Sequence, residues 1–491
     1  MSHSSPKFLE DLNSRVKARM FGWSLGPVAV VATALSLLLL RLWNLEVAPP
    51  GFYSDEMNVA ANTVCLRHTG VDLWGNGWSF GSGGPVNDFG YVIGLTGHTH
   101  MLASVWFVLA GDSIVAARSF AVLISLVIVA CTTGIAYNFV GRSGAVWALG
   151  LSAVSPWTWT LSRVGFLTDF GNMHLFIGLW LLTRHVRRRD DPRIHEVVVA
   201  GLLFGVSLWS PYSTFATGFS AIVFSLYLLR QKRLPGATAL FWANLAASYA
   251  VWQFSLGKFS NTRIGQMAIF DELAREQTVL NKVAALVRIC WNGLFEYLSL
   301  DFWVFKGDTN LRHHSGWGGM LSWPQILLVA LSPIAVVIGW RMRLKLTGVV
   351  NLLTVSAVGI IGGLLTTMIT GEGPHANRLL VAAPFFVLGC VAIGMTLTPY
   401  LKFLPVMCVV LGVSFFSFFL RDYFSDYPVR AYGWFQSDIR REGEIARRTG
   451  DFSAFYSKKD SFTAKYGLLS EPGLIFFEAA GSGKGCPGYG K

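Results

Sequence analysis

Residues 379–398 read LLVAAPFFVLGCVAIGMTLT, a run of 20 residues without a charged side chain. A run of this length is what an α-helix needs to cross the hydrocarbon core of a bilayer. Similar runs recur along all 491 residues, of which 53% are hydrophobic and 14% are charged. A soluble protein of this length would carry roughly 25% charged residues. The sequence therefore predicts an all-α, polytopic membrane protein.

The basic residues between these apolar runs predict how the chain is oriented. Cytoplasmic loops accumulate Lys and Arg, and basic clusters lie at 184–189, 230–233 and 341–345. With the N-terminus inside, all three clusters face the cytoplasm if the chain crosses the membrane about eleven times. The predicted transmembrane helices lie near 21–45, 114–136, 143–161, 170–184, 196–213, 215–230, 236–257, 323–340, 346–370, 379–398 and 402–420.

Two large segments are predicted to lie outside, at about 46–113 and 258–322. Residues 91–111 are apolar enough to span, but a crossing there would move every later basic cluster outside. We therefore predict that this segment forms a helix that lies at the outer interface or re-enters the membrane. The stretch near 271–297 alternates apolar and charged residues at helical spacing, which indicates an amphipathic helix on the outer surface.

The first apolar run and the segment after residue 420 define the predicted domains. The first apolar run is long and lacks a small-residue cleavage site, so it is interpreted as a retained first span and not as a signal peptide. Residues 1–420 then form the transmembrane domain, and residues 421–491 form a small extracytoplasmic tail. The Gly-rich end of the tail has the composition of a disordered segment.

The formal net charge of +12 is explained by the topology. A protein with many cytoplasmic turns is basic because of the positive-inside bias. A nucleic-acid interface would need a basic face with stacking aromatic residues on a soluble domain. The sequence has no such domain, and no nucleic-acid partner is predicted.

The six cysteines are scattered, without a CxxC pair or a metal-ligand spacing. Three of them lie inside apolar runs and are expected to be small core residues. The three in segments predicted to lie outside, where a disulfide can form, are Cys65, Cys290 and Cys486. The spacing does not select a pair.

Two adjacent carboxylates, Asp55 and Glu56, follow the end of the first predicted span. Carboxylates at a membrane interface are poorly hydrated, and one of them is then available as a general base. The alternative is a helix cap, since Ser54-Asp55-Glu56 is an acceptable start of a helix. The spacing alone does not decide between the two interpretations.

A second acidic residue, Asp169, lies at the outer end between the third and fourth predicted spans. Placing an ionisable residue at the end of a span costs less free energy than placing it at the centre of the bilayer. The position of Asp169 alone therefore does not indicate a function. Arg163 can simply pair with it. The functional alternative is a charged rim that faces the same cavity as Asp55.

Cationic residues recur in the later outer segments. Arg312 and His313 precede the eighth predicted span, and Arg378 lies between the ninth and tenth. The planar fork of arginine suits a phosphate group, whereas an interfacial arginine can also be a membrane anchor. His313 and His314 are adjacent and lack the i, i+4 spacing of zinc ligands on one helix face. We predict no metal and no other cofactor.

Six short motifs follow one another along the chain. They are Ser54-Asp55-Glu56; Thr69-Gly70-Val71-Asp72 with Gly75; Ala116-Ala117-Arg118-Ser119; Ser155-Pro156-Trp157 with Ser162-Arg163; Gly307-Asp308 with Asn310, Arg312-His313 and Gly318; and Pro374-His375 with Arg378 and Pro384. In this order they resemble the bacterial phospholipid-carrier-dependent glycosyltransferases, relatives of the protein O-mannosyltransferases and the aminoarabinose transferases. The resemblance covers roughly Leu45 to Pro399 and implies a GT-C-type bundle.

The resemblance implies a role for each matching residue. Asp55 would deprotonate or orient the acceptor hydroxyl, Glu56 would support it, and Asp169 would fall near the second acidic position. Five residues would hold the donor phosphate: Arg378, His375, Arg312, His313 and Arg163. The implied reaction is a direct displacement with inversion, from a polyprenyl-phosphate sugar, at the outer face of the bacterial inner membrane. The sugar is left open, and so is the acceptor, which is a protein, a lipid or a glycan.

Two other functions fit a chain of this kind. A transporter or flippase of lipid-linked sugars predicts charges at span centres and repeat symmetry, and the predicted span centres are almost free of charge. A scaffold subunit that keeps the fold without the activity predicts loss of the Asp-Glu motif, which is intact at residues 55–56. The sequence therefore favours the transferase.

Overall fold

The computed structural model describes residues 26–73, 97–166, 169–188, 190–210, 212–230, 235–256, 273, 275–341, 347–368, 373–466 and 471–482. Every secondary-structure element in these ranges is a helix. The α-helices are α1 (Gly26–Leu39), α2 (Ser54–Thr69), α3 (Gly97–Ala110), α4 (Ile114–Ala153), α5 (Pro156–Ser162), α6 (Asp169–Arg188), α7 (Ile194–Ser207), α8 (Thr214–Arg230), α9 (Pro235–Leu256), α10 (Val279–Tyr297), α11 (Trp323–Ala330), α12 (Ser332–Arg341), α13 (Thr347–Met368), α14 (Ala382–Leu397), α15 (Leu404–Ser425), α16 (Tyr427–Arg430), α17 (Ser437–Thr449), α18 (Ser453–Ser457), α19 (Lys459–Tyr466) and α20 (Glu471–Ser482). A 3-10 turn (Leu40–Leu42) follows α1, and a π-helical turn (Asp301–Phe305) follows α10.

The apolar helices indicate a membrane protein. Within the described residues, α4, α13 and α15 are each long and apolar enough to cross a bilayer, and α11 with α12 forms a fourth candidate that is bent by 47°. Shorter apolar helices include α7 and α14. An all-helical fold is thus confirmed, while the count of about eleven spans stays a prediction.

Helix α4 contains the first of two predicted spans, 114–136, and most of the second, 143–161. It runs without a loop from Ile114 to Ala153, but Gly141 interrupts its helical geometry with φ 78° and ψ −161°. Only glycine adopts this backbone conformation at no steric cost. The two predicted helices are therefore joined through one residue, and the second ends at Ala153 before α5 begins.

The apolar helices pack around one large core. Helix α4 lies against α6 and α14, α7 lies against α6 and α9, and α13 lies against α8 and α14. Aromatic side chains fill the contacts, as in the pairs Phe176–Phe385 and Phe204–Phe241, whose ring centroids are 4.7 and 5.4 Å apart. This core holds the ends of the helices in fixed positions, and the connections at one end carry the residues singled out in the sequence.

The segment predicted to lie at the outer interface forms helix α3. The helix has 14 residues in the described part of this segment, and residues 91–96 lie outside the described residues. It packs on α2, where the Ser104 hydroxyl donates a hydrogen bond to the carbonyl of Thr63 at 3.2 Å. The predicted amphipathic helix is observed as α10, and a stripe of large apolar side chains is exposed along it: Val279, Leu280, Val283, Val287, Trp291 and Phe295.

The predicted tail is helical over its described residues. The last long helix, α15, ends at Ser425, five residues beyond the predicted boundary, and α16 to α20 follow it. Helix α20 packs against α2 and α17, and the rings of Phe476 and Phe52 lie 5.2 Å apart. The tail therefore covers one side of helix α2. The Gly-rich end lies outside the described residues.

Candidate active site

The first outer loop is fixed by a buried ion pair between α2 and α4. Glu56 lies in the first turn of α2, and Arg118 lies in the first turns of α4; neither side chain is exposed. The Arg118 Nε donates to Glu56 Oε1 at 2.9 Å, and Nη2 donates to Oε2 at 3.0 Å. The same guanidinium donates to the carbonyls of Leu45, Pro49 and Gly51, at distances of 2.6–2.8 Å. Arg118 thus holds the whole approach to α2.

Glu56 also serves as the cap of α2. Its carboxylate accepts the backbone N–H of Tyr53 at 3.1 Å and that of Gly165 at 2.9 Å. The helix-cap alternative therefore applies to Glu56, whose oxygens are occupied by structural partners. Asp55 is half-buried, whereas Glu56 is fully buried.

Arg163, which the resemblance implies as a phosphate ligand, lies in the interior of the protein. Its side chain is fully buried, and its guanidinium donates to three backbone carbonyls: Arg41 at 2.5 Å, Ala48 at 2.7 Å and Asn44 at 3.3 Å. It also lies over the ring of Tyr423. Because its N–H groups are used by backbone carbonyls, this position favours a structural role. Arg163 and Arg118 together hold the segment from Arg41 to Glu56.

Asp169 is the first residue of α6. One of its carboxylate oxygens accepts a hydrogen bond from the Asn172 side chain at 2.9 Å, and Arg41 lies within electrostatic range. The predicted pairing of Asp169 with Arg163 is not among the ion pairs of the described residues. A catalytic role for Asp169 stays a prediction.

The second outer loop brings Asp308 and His313 together. The Nδ1 atom of His313 lies 3.0 Å from Asp308 Oδ2, and both side chains are buried. The other Asp308 oxygen accepts the backbone N–H of Asn310 at 2.8 Å. Asp308 Oδ2 also accepts the N–H of Ala376 at 2.7 Å, which connects this loop to the one before α14.

Three further groups fix the loop at 373–378. The Tyr297 hydroxyl accepts the backbone N–H of His375 at 2.9 Å, and the Trp157 ring donates to the carbonyl of Ala376 at 3.1 Å. Within the loop, the Nδ1 atom of His375 accepts the N–H of Arg378 at 3.3 Å. The rings of His375 and His313 then lie 4.3 Å apart.

The first loop meets these two loops at the same place. The guanidinium of Arg312 lies 4.2 Å from the ring centroid of Tyr53 and 5.7 Å from that of Trp434 in the tail. Asp55 interacts electrostatically with His313, and Arg378 does so with His375. The structure therefore gathers five residues predicted from separate segments into one cluster: Asp55, Arg312, His313, His375 and Arg378.

The histidines of this cluster are neutral at ordinary pH. Burial, followed by the charges of His313 and Arg378, lowers the pKa of His375 to about 2. Burial also lowers the pKa of His313, against the opposing effect of Asp308. Burial by itself would raise the pKa of Asp308, but its hydrogen bond and charge interaction with His313 hold that pKa below its usual range. The imidazoles are thus available as neutral donors or ligands.

Asp308, His313 and His375 could also hold a metal. Each offers one ligand atom, and these three atoms lie within 4.8 Å of one another. The sequence does not indicate this arrangement, because the third residue belongs to a different loop. Sequence reasoning also did not assign a role to Tyr297. Arg118 had one available signal, an arginine inside a predicted span, which is costly unless it is paired.

One cysteine of the first loop is oxidised. Cys65 in α2 is disulfide-bonded, whereas Cys290 in α10 is a free thiol. Cys486 lies outside the described residues. A disulfide is typical of an oxidising compartment, which agrees with the predicted outer location of α2.

No model of a protein family matches the chain, and no curated protein matches it. Among solved structures, the chain is similar to ArnT from Cupriavidus metallidurans bound to undecaprenyl phosphate, with 12% identity, a TM-score of 0.43, and coverage of 94% of this chain and 76% of that chain. It is also similar to the oligosaccharyltransferase AglB from Archaeoglobus fulgidus in complex with an inhibitory peptide and a dolichol-phosphate, with 12% identity, a TM-score of 0.42, and coverage of 94% and 64%. The chain thus spans under two thirds of the archaeal protein. At these TM-scores the similarity says nothing about the reaction.

Proposed function

We propose that this chain is a membrane glycosyltransferase that moves a sugar, a hexose or a pentose, from a polyprenyl-phosphate donor to an acceptor hydroxyl. The observation that carries the proposal is the meeting of Asp55 with Arg312, His313, His375 and Arg378. These residues come from three outer segments and supply an acid–base group beside cationic and neutral donors. The acid–base group can take the proton of an acceptor, and the donors can stabilise the phosphate that leaves.

Asp55 is proposed as the general base. Of the two adjacent carboxylates, Glu56 is bound by Arg118 and two backbone N–H groups, while Asp55 stays partly exposed beside His313. A base must be able to reach the proton that it removes. Glu56 then supports Asp55 through the backbone, by fixing the first turn of α2.

The phosphate of the donor is proposed to lie between Arg312 and Arg378. Arg312 is half-buried and is oriented by Asn310, whose side-chain oxygen accepts from its Nε at 3.0 Å. The neutral ring of His375, whose Nδ1 accepts the Arg378 N–H, adds an Nε2–H donor. Fixed donors of this kind stabilise the charge that develops on a leaving phosphate.

The reaction is then a single displacement. Asp55 takes the proton of the acceptor hydroxyl while the hydroxyl oxygen forms a bond to the anomeric carbon of the sugar. The bond between that carbon and the phosphate oxygen breaks, and the phosphate leaves with the electron pair. Attack opposite the leaving group inverts the anomeric centre. No covalent sugar–enzyme intermediate is required.

The site is proposed to face the outside of the bacterial inner membrane, with the N-terminus in the cytoplasm and the C-terminus outside. The disulfide at Cys65 supports this orientation, because α2 carries both Cys65 and Asp55. The lipid part of the donor would lie in the membrane beside the helix bundle. The acceptor stays open among protein, lipid and glycan.

The test uses the full-length chain in detergent with a panel of polyprenyl-phosphate sugars, and follows the lipid by mass spectrometry. We expect the protein to release polyprenyl phosphate from one donor, and Asp55→Asn to be at least about 100-fold slower, the scale for losing a general base. The control is Asp301→Asn, which alters an exposed carboxylate of the second outer loop and should keep full activity.

Two results would overturn the proposal. The first is that no donor is consumed by the wild type, which would favour a transporter or a scaffold. The second is that Asp55→Asn binds the donor and turns it over at the wild-type rate. Asp55 would then be part of a helix cap and not the general base. Equal thermal stability of the wild type and Asp55→Asn excludes misfolding as the cause of lost activity.

A further inference from the structure

We propose that Asp308, His313 and His375 form a binding site for a divalent transition-metal ion. The three residues present one carboxylate oxygen and two imidazole nitrogens, all within 4.8 Å of one another. They lie on two loops that are already bonded to each other through Asp308 and the N–H of Ala376. The inference concerns binding and does not depend on the proposed sugar transfer.

Both oxygens of the Asp308 carboxylate are held by hydrogen bonds. One oxygen accepts the Asn310 N–H at 2.8 Å, and the other accepts the Ala376 N–H at 2.7 Å and lies 3.0 Å from His313 Nδ1. A carboxylate has about four acceptor positions, so one remains for a further partner. Metal-binding carboxylates are commonly held by hydrogen bonds in this way.

The two histidines are oriented by different contacts. The ring of His313 contacts Asp308 through Nδ1 and packs edge-on against Phe166, with centroids 6.0 Å apart. The ring of His375 is fixed through Nδ1 by the backbone N–H of Arg378. A neutral His313 that donates its Nδ1–H to Asp308 offers the lone pair of Nε2 to a metal, whereas His375 would exchange the Arg378 N–H for the metal at Nδ1.

The ligand set selects the class of ion. Imidazole nitrogens with a carboxylate oxygen suit Zn²⁺, Co²⁺ or Mn²⁺, whereas Mg²⁺ and Ca²⁺ prefer oxygen ligands alone. Around a tetrahedral Zn²⁺ with bonds near 2.1 Å, ligand atoms lie about 3.4 Å apart. The widest pair must therefore close by at most about 1.4 Å. His375 is half-buried, so rotation of its side chain can supply this movement.

The surrounding charges are close to balanced. Arg312 and Arg378 are positive and lie beside His313 and His375, while Asp308 and Asp55 are negative and lie beside His313. The local field therefore neither strongly attracts nor strongly repels a cation. Affinity would depend on the three ligands, and a position would remain open for water or an anionic ligand.

The test measures metal binding directly on the full-length chain without a polyhistidine tag. The protein is stripped with a chelator, dialysed against Zn²⁺ or Co²⁺, and assayed for bound metal by mass spectrometry. We expect one equivalent of Zn²⁺, and Co²⁺ should give the visible absorption of a low-coordinate site. His375→Gln and Asp308→Asn should each lower the affinity by at least about 100-fold, more than the usual cost of losing a supporting residue.

The matched control is His68→Gln. His68 forms an Asp–His pair with Asp112 at 2.7 Å and lies outside the cluster, so its loss should leave metal binding unchanged. Asp308→Asn keeps an oxygen acceptor for Ala376 but sets an NH2 group against the Asn310 N–H, so its folding is checked by size-exclusion chromatography. His375→Gln leaves these bonds intact and should unfold at the temperature of the metal-free wild type. The inference is overturned if the wild type retains no stoichiometric metal, or if His375→Gln and Asp308→Asn retain it as tightly as the wild type. Neither result depends on transferase activity, so the two proposals fail independently.

Discussion

Arg118 and Glu56 form a bidentate ion pair in which both side chains are fully buried, with N–O distances of 2.9 and 3.0 Å. The two residues lie 62 positions apart in the chain. Their contact fixes the first turn of α2 (Ser54–Thr69) against α4 (Ile114–Ala153). Because Asp55 precedes Glu56, this pair also determines where the proposed base is placed.

Glu56→Ala is expected to destabilise the protein strongly. Removing one partner of a buried pair leaves an uncompensated charge, at a cost of about 3–5 kcal/mol. The carboxylate would also be lost as the acceptor for Tyr53 and Gly165. The measurement is the temperature at which half of the detergent-solubilised protein survives heating, followed by size-exclusion chromatography.

Asp55→Asn is the matched control for this prediction. It alters the neighbouring carboxylate, which is only half-buried, and should leave the survival temperature unchanged while turnover is lost. If Glu56→Ala is as stable as the wild type, the ion pair does not hold the loop. If it is stable and inactive, Glu56 acts in the chemistry directly.

Arg163→Met is expected to change the stability of the protein, whereas Arg378→Lys is expected to change its KM for the donor. Arg163 donates to the carbonyls of Arg41, Asn44 and Ala48, so Arg163→Met should lower stability, by about 1–3 kcal/mol for each buried carbonyl that loses its partner. Its surviving fraction should bind the donor with an unchanged KM. Arg378→Lys should instead raise the KM for the donor, because an ammonium group cannot form the two parallel bonds of arginine.

Donor titrations and heat-survival curves on both variants check this contrast. A raised donor KM in stable Arg163→Met would support the phosphate-binding role that the resemblance implies. An unchanged KM and kcat in Arg378→Lys would make Arg378 an interfacial anchor.

Much of the helical architecture could be predicted from apolar runs, because burial in lipid requires them. Helix α13 (Thr347–Met368) lies within the predicted span 346–370, and Gly141 lies in the predicted gap between spans two and three. Helix boundaries were less predictable, since α15 extends to Ser425, five residues beyond the predicted end of the span. The tail helices contain no apolar run of spanning length, so apolar runs do not predict them.

The composition of the candidate site could be predicted only in part. Motifs drew attention to Asp55, Arg312 and Arg378, but local spacing does not show that His375 lies beside His313. That contact depends on how two loops pack, and the loops are joined by the hydrogen bonds of Tyr297 with His375 and of Asp308 with Ala376. The buried role of Arg163 was missed for the same reason: its partners are backbone carbonyls, which leave no sequence signal.

Gly51→Ala is expected to displace the first outer loop. A Cβ atom at this position would overlap the backbone carbonyl of Phe435 in the tail and the hydroxyl of Ser437. Backbone atoms cannot move aside as a flexible side chain can, so the loop that carries Asp55 must shift. A misplacement of about 1 Å can cost roughly 100-fold in rate. We therefore expect a kcat reduced on this scale.

The matched control for this substitution is Gly218→Ala in α8 (Thr214–Arg230). A Cβ at Gly218 meets no atom within 4 Å, and alanine favours a helix over glycine. This variant should have wild-type kcat and unchanged or slightly raised stability. Wild-type turnover in Gly51→Ala would show that contact between the tail and the first loop does not position the base.

Tyr297→Phe is expected to weaken donor binding through the loop at 373–378. The Tyr297 side chain is buried, and its hydroxyl accepts the His375 N–H at 2.9 Å. Loss of that oxygen leaves a donor without its partner, at about 1–3 kcal/mol, and releases the loop that carries His375 and Arg378. Since 1.4 kcal/mol corresponds to a tenfold change in affinity, the donor KM should rise by between about 5-fold and about 100-fold.

Tyr432→Phe provides the comparison, because it removes a hydroxyl that bonds Asp438 on the exposed surface of the tail. An exposed hydrogen bond is replaced by one to water, so this variant should keep the wild-type KM. Steady-state kinetics with the consumed donor decide the matter. A KM for Tyr297→Phe equal to that of Tyr432→Phe would mean that Trp157 and Asp308 hold the loop without Tyr297. A raised KM with unchanged kcat would identify the loop as part of the donor site and leave the base on α2 unaffected.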